Sequence, residues 1–246
     1  MARIAAACDA LASLMGLAHT TRKILSGDAL KSSVAMIRRL RYPLNPQRFI
    51  DNINAEALDA IKAKYFNPND KVTSRKYLDL DEWMSTNTKR IRDAMLRPAP
   101  PRKRVLDIGC GTGYFLHIAR TLGHDVLGMD IPGHKLFDEV CGLLQLPRCL
   151  HTIKPWQKLP ELGAPFDLVS AHMTCFNRYE DGRRWGPDEW AFFLDDLQTR
   201  LTPTGVIHMD LNAEQDGSHM APALRQFFID RGAKVDRRKF RLVPGR

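Results

Sequence analysis

The segment Val105-Leu106-Asp107-Ile108-Gly109-Cys110-Gly111-Thr112-Gly113-Tyr114-Phe115 constrains this chain more than any other. It reads as a buried strand, a glycine turn and the start of a helix. Glycine is needed where a backbone turns sharply or passes close to a ligand, because a Cβ would clash there. Such a turn aims helix N-terminal N–H groups at whatever lies over the sheet edge. Open parallel sheets bind their ligands beyond the carboxyl ends of the strands. Asp130 arrives 17 residues after Gly113, at the end of the apolar run Asp125–Met129. A carboxylate in that place can accept two hydrogen bonds from ribose hydroxyls.

The rest of the C-terminal part repeats the alternation. Helices are expected over Tyr114–Leu122, Lys135–Leu144, 188–201 and 220–231, and strands over Cys149–Ile153, Phe166–Ala171 and Gly205–Leu211. The continuous apolar run of Phe166–Ala171 suits a strand buried on both faces. Two antiparallel strands around Arg237-Arg238 close the pattern. Strands alternating with helices imply parallel pairing and a doubly wound α/β sheet.

Residues 1–97 read instead as helices between Pro- and Asn-rich breaks. The start is an amphipathic helix with Ile4, Cys8, Leu11 and Met15 on one face; Asp9 interrupts what otherwise looks faintly like a signal peptide. Helices are expected over 28–41, 54–66 and 79–97, the last with Asp79 and Glu82 as an acidic capping box. Pro98-Ala99-Pro100-Pro101 reads as a stiff linker. The division is therefore an N-terminal helical segment, 1–100, and an α/β domain, 101–246. Charge follows it: residues 1–102 hold 18 Lys and Arg against 10 Asp and Glu, while the remainder hold 19 against 18. The excess suits an acidic partner or, more plainly, a solvated helical face. No apolar run approaches the roughly 20 residues that span a bilayer. The five cysteines form no C-x-x-C pair, so neither a disulfide framework nor a zinc site is expected. That suits a reducing cytoplasm.

Two cofactor classes share the strand–glycine–helix layout. A dinucleotide fold wants G-x-G-x-x-G/A, and Tyr114 stands where its last small residue belongs. No P-loop pattern occurs. VLDIGCGTGYF instead resembles the signature of class I S-adenosylmethionine-dependent methyltransferases, over about residues 103–245. The resemblance implies a Rossmann-like, mostly parallel seven-stranded sheet and S-adenosylmethionine as cofactor. It implies that Gly109, Gly111 and Gly113 form the cofactor loop and that Asp130 is the ribose acid. Asp107 matches the acid that steadies the loop and the cofactor's amino group, and Ile131 an apolar adenine contact. FDLVSAHM resembles the strand-four motif passing the transferred methyl, and LTPTGVI the turn into strand five, with Thr204 in place of a glycine. His151-Thr152-Ile153-Lys154 lacks the common adenine-reading acid.

Subclass motifs are mostly missing. Ser170-Ala171-His172-Met173 stands where amine-methylating enzymes of the family carry [DNS]-P-P-[FYW], and no Pro-Cys pair marks cytosine chemistry. The acids of metal-dependent catechol-type enzymes are not matched, so no metal is expected. His172, after strand four, is a candidate general base; it equally suits a residue that only lines the pocket. Cys175 reads as a small buried thiol, Trp185 and Trp190 as a stacking surface or as helix packing, and Asp195-Asp196 as a solvated face. The expected function is methylation of a small molecule or glycan, on oxygen. An RNA methyltransferase using the basic N-terminal segment and a non-catalytic cofactor-binding protein are the alternatives.

Overall fold

The computed structural model describes residues 44–67, 69, 77–213 and 219–244. The chain divides after Leu44, and the compact unit from Asn45 onward holds every element named below. The amphipathic start and the helix expected over 28–41 lie outside the described residues.

Three helices precede the sheet. Each is opened by a side chain that accepts an otherwise orphaned N–H. Asn45 caps α1 (Pro46–Ile50) and Asn54 caps α2 (Ala55–Tyr65), by accepting from Gln47 N and Ala57 N. Asp79 caps α3 (Leu80–Asp93) by accepting from Glu82 N at 3.1 Å. Strands and helices then alternate: β1 (Arg104–Ile108), α4 (Tyr114–Thr121), β2 (Asp125–Asp130), α5 (Lys135–Leu143), β3 (Arg148–Leu150) and β4 (Phe166–Thr174). The chain continues through α6 (Pro187–Gln198), β5 (Leu201–Leu211), α7 (Pro222–Asp230), β6 (Lys234–Asp236) and β7 (Lys239–Leu242).

The seven strands lie in the order β3-β2-β1-β4-β5-β7-β6. All neighbours are parallel except β7, which runs antiparallel to β5 and β6. This is the doubly wound, mostly parallel sheet expected from the sequence. Strand order reverses between β1 and β4, and such a switch point leaves a crevice at the carboxyl strand ends. On one face Val169, Ala171, Ile207 and Met209 pack with Trp190 and Phe193 of α6 and Phe228 of α7. On the other face lies α4, with α3 and α1 against it. Among the described residues no helix is long and apolar enough to cross a membrane.

Several expectations need correction. The boundary at residue 100 does not separate compact units. The Pro98–Pro101 segment is pinned rather than spanning a gap: Ala99 N donates to Leu122 O at 2.9 Å, and the His124 ring contacts Arg97 O at 2.6 Å. Lys239 of β7 also pairs with Asp93 of α3. Trp185 and Trp190 are both buried in the aromatic core and offer no stacking surface, whereas Cys175, expected to be buried, is exposed just past the end of β4. Asp195 is exposed, but Asp196 is buried, accepting from Leu159 N at 2.9 Å and pairing with Arg200. The helix pattern could not show this, because the partners come from a distant loop and from beyond the helix end.

Candidate active site

The glycine loop hangs from the end of β2. Gly109 N and Cys110 N both donate to Met129 O, at 2.7 and 3.2 Å. Gly109, Gly111 and Gly113 all have left-handed φ, which side chains with a Cβ rarely adopt. Two of them show different needs. A Cβ on Gly109 would lie 2.0 Å from Thr174 Cγ2, so packing against β4 excludes it. A Cβ on Gly111 would meet only the Phe137 ring, at 3.9 Å, so that position borders open space.

The space is a cavity of about 710 Å³ at the carboxyl ends of β1, β2 and β4. It brings together Asp107, Gly109, Gly111, Asp130, Ile131 and His172, six of the seven residues singled out in the sequence. Gly113 lies beneath, where its Cβ would clash with Leu146.

Asp130 ties the loop to β2. Its carboxylate accepts from Gly111 N at 2.6 Å and from Ile131 N at 2.8 Å. Each oxygen keeps a further lone pair for a ligand hydroxyl. Ile131 is exposed at the cavity wall, as an apolar contact to a flat ring would need.

Asp107 does not steady the loop as expected. It is buried, and its hydrogen bond comes from Ser170 Oγ on β4 at 2.7 Å. The loop's Gly111 amide goes to Asp130 instead. Burial pushes the Asp107 carboxyl up to about 7, against the Ser170 hydrogen bond and the charge of Arg90.

Arg90 was not singled out from the sequence. It lines the cavity from α3, donates to Asn87 Oδ1 at 3.1 Å and lies over the Trp83 ring. Burial lowers its pKa, while Asp107 and Asp210 act to raise it. The signal was present in the sequence: Trp83, Asn87 and Arg90 recur at helical spacing, so two polar residues share the buried face of α3.

β4 runs further than expected and is irregular where it meets the cavity. Its register with β5 shifts between His172 and Thr174. Met173 there has φ 60°, unusual for a residue with a side chain. Its carbonyl is fixed by Asn212 Nδ2 at 2.7 Å. Irregularities of this kind concentrate beside functional sites, where they re-aim side chains.

His172 lines the cavity, but both of its ring nitrogens are buried and without a hydrogen-bond partner. Its ring packs on Phe115, with centroids 4.7 Å apart. Burial, then Arg90 and His208, hold its pKa well below the ordinary histidine value. The geometry therefore does not offer the accessible base that the sequence suggested. Among the described residues no cluster of His, Cys, Asp and Glu is arranged to hold a metal ion.

A family model described as a methyltransferase domain matches residues 80–232. No curated protein matches the chain. Among solved structures it is similar to DesVI of Streptomyces venezuelae, at 17% identity over 54% of this chain and 52% of that one, with a TM-score of 0.40. It is similar to the amino pentose methyltransferase CalS10 of Micromonospora echinaspora, at 24% identity over 56% and 52%, with a TM-score of 0.38. TrmN of Thermus thermophilus is 21% identical over 64% and 47%, with a TM-score of 0.44. The chain spans about half the length of each of these three. Likenesses of this size say nothing about substrate. The matched model, however, takes in more than half of the chain, including the glycine loop, Asp130 and every parallel strand, and the chain belongs to the class I S-adenosylmethionine-dependent methyltransferase family.

Proposed function

We propose that this chain binds S-adenosylmethionine over its glycine loop and methylates a hydroxyl of a small molecule or glycan. The observation that carries the reading is the loop's open side. Gly111 borders a large cavity while its amide is fixed by the carboxylate of Asp130. The lining suits the cofactor's parts. Asp130 would take the ribose and Ile131 the adenine. Asp107 and Arg90, both lining the cavity, would hold the amino and carboxylate groups of the methionine end.

The bound cofactor supplies a methyl group on a positively charged sulfur, activated for attack. The chain's own residues bind and orient. The carboxyl oxygens of Asp107 and Asp130 place acceptors beside the loop for the donor groups of a cationic ligand. The bulged end of β4, with Met173 O held by Asn212, sets the wall along which an acceptor approaches. His172 fills that wall as an uncharged ring. Holding two reactants in a near-attack geometry can supply most of the acceleration, so no accessible base is needed. The end of β4 presents no carboxylate to an ammonium, and this supports oxygen rather than nitrogen as the acceptor atom.

Calorimetry with S-adenosylhomocysteine and with NAD tests the cofactor: heat is expected with the first alone, and tight NAD binding would overturn the assignment. Transfer of labelled methyl from S-adenosylmethionine into a cell extract, followed by identification of the labelled species, tests the acceptor class. Label confined to RNA or protein would refute the small-molecule reading.

A further inference from the structure

We propose that the half of the cavity away from the glycine loop is an oxyanion site built on Arg238 and Arg178, and that the methyl acceptor bears a carboxylate or phosphate that this site holds. That the anion belongs to an acceptor rests on the methyltransferase reading; the oxyanion site itself does not.

Charge is sorted along the cavity. Its lining holds three acids, Glu82, Asp107 and Asp130, and three arginines, Arg90, Arg178 and Arg238. Asp107 and Asp130 belong to β1 and β2, on the side of the glycine loop. Arg178 follows β4, and Arg238 lies in the turn between β6 and β7. In the strand order β7 is the third strand from β1, about 14 Å away at the usual strand spacing. The helix α3 crosses the same span in the same order. Its N-terminal end carries Glu82, and there Trp83 stacks on Tyr77, which meets Phe137 of α5. Its C-terminal end carries Arg90, and there Asp93 pairs with Lys239 of β7. A cofactor seated over the glycine loop takes up the acidic half. The half left over is cationic.

Arg238 is anchored along one edge of its guanidinium. Its Nε pairs with Asp210 Oδ1 at 2.8 Å, where the carboxylate is 4% exposed and the arginine side chain 37%. Leu211 N donates to Arg238 O at 2.9 Å, which fixes the turn against the end of β5. An arginine tied through Nε keeps four of its five N–H donors, and this fork matches two oxygens of a carboxylate or phosphate. Arg178 is exposed, and among the described residues its side chain has no hydrogen-bond or ion-pair partner. Its backbone bridges to Arg184, whose guanidinium reaches Asn177 Oδ1 at 3.3 Å and Ala213 O at 3.2 Å. The loop carrying Arg178 is thereby tied to the end of β5. The acids on this side, Asp210 and Asp93, pair with Arg238 and Lys239 and do not line the cavity. A cleft lined by one sign of charge concentrates ligands of the other.

An acceptor held there by its oxyanion lies along the end of β4, where Asn212 fixes Met173 O, and its hydroxyl extends towards the glycine loop. A single oxyanion inside the cavity is screened by salt much less than charges on an open surface.

The test saturates the full chain with S-adenosylhomocysteine and titrates it with inorganic phosphate and with acetate at fixed ionic strength, with chloride as control. Affinity is read from the rise in Tm with anion concentration. Both oxyanions should raise Tm and chloride should not. Arg178→Gln should fold unchanged and bind phosphate about twofold to fivefold more weakly, the scale of an exposed ion pair. Arg238→Lys keeps a cation beside Asp210 but lacks the fork, and should bind phosphate at least about tenfold more weakly. Both variants should keep their affinity for S-adenosylhomocysteine. Equal phosphate affinity in all three proteins would mean an adventitious ion only and would overturn the site, as would no effect of either oxyanion on the wild type. The second measurement runs the labelled methyl product from a cell extract on anion exchange. A small, retained product is expected; a neutral or cationic product, or label in RNA, would overturn the assignment to the acceptor. Alkaline phosphatase separates the two sources, since a phosphate ester loses its retention and a carboxylate keeps it. If S-adenosylhomocysteine does not bind or no label is transferred, the methyltransferase reading fails, and the anion titration of the same chain still decides the oxyanion site.

Discussion

Both ring nitrogens of His172 are buried and without a hydrogen-bond partner, so this side chain is not expected to take a proton from an acceptor. A true general base contributes roughly 10²–10⁴-fold. His172→Ala is therefore expected to lower kcat by less than about tenfold, far short of that range, and to leave the rate flat through the ordinary histidine pKa. A loss of a hundredfold or more with cofactor Kd unchanged would reinstate the base. Asp107 makes a second prediction. Its pKa is raised to about 7 in the folded protein, so the folded state holds a proton that the unfolded state has already released. Stability contributed by this group is full below the ordinary carboxylate range, about 4, and is lost as pH rises through 7. Urea unfolding at pH 5 and pH 8 should show a larger loss for the wild type than for Asp107→Asn, which cannot titrate. Equal losses would mean that Asp107 is already ionised at pH 5.

At the scale of elements, the glycine loop and α3 each make a distinct claim. Gly111→Val places a β-branched residue at φ 55°, at a cost of about 1–2 kcal/mol. For a domain of this size that lowers Tm by roughly 2–8 °C, so the fold survives. Its side chain nevertheless points into the cavity, and S-adenosylhomocysteine binding should vanish in calorimetry; normal binding would misplace the pocket. Arg90→Gln removes the cation opposite Asp107 from α3. A charged hydrogen bond contributes about 1.5–3 kcal/mol, so cofactor affinity should fall roughly 10–150-fold with Tm almost unmoved. Unchanged affinity would free Arg90 for the acceptor. The glycine loop and strands were legible because buried parallel strands are continuous apolar runs and because glycine marks a turn through its own geometry. Asp130 was legible as the acid ending a strand, although its bond to Gly111 was not. What stayed hidden depends on contacts between distant segments. Asp196 finds Leu159 N, Ser170 finds Asp107, and β4 continues to Thr174 through a bulge anchored by Asn212. The burial of the His172 nitrogens is of the same kind, set by Phe115 on the helix after the loop.

For the molecule as a whole, the expected division at residue 100 cut through a packed unit, because a Pro-rich stretch signals a break in helix and not the absence of contacts. The compact unit begins at Asn45, and among the described residues every one lining the cavity lies at or beyond Tyr77. The basic excess lies largely outside that unit: residues 1–44 carry seven Lys and Arg against two Asp and Glu. A protein beginning at Asn45 is expected to bind S-adenosylhomocysteine within about threefold of the full chain, since a threefold change is under 1 kcal/mol and every described lining residue is kept. Calorimetry on the two proteins side by side checks this, and loss of binding would show that the first 44 residues complete the pocket. The same pair discriminates the acceptor classes. Phosphate contacts make nucleic-acid affinity fall steeply with salt, in proportion to the number of cations engaged. If RNA were the acceptor and the basic residues its anchor, the full chain would bind RNA with a steep salt slope that the shortened protein lacks. A small-molecule or glycan enzyme should show weak RNA binding in both proteins. Its methyl-transfer rates on one acceptor should also be insensitive to salt between 50 and 200 mM, the range over which a protein making several phosphate contacts loses about 10³–10⁵ in affinity.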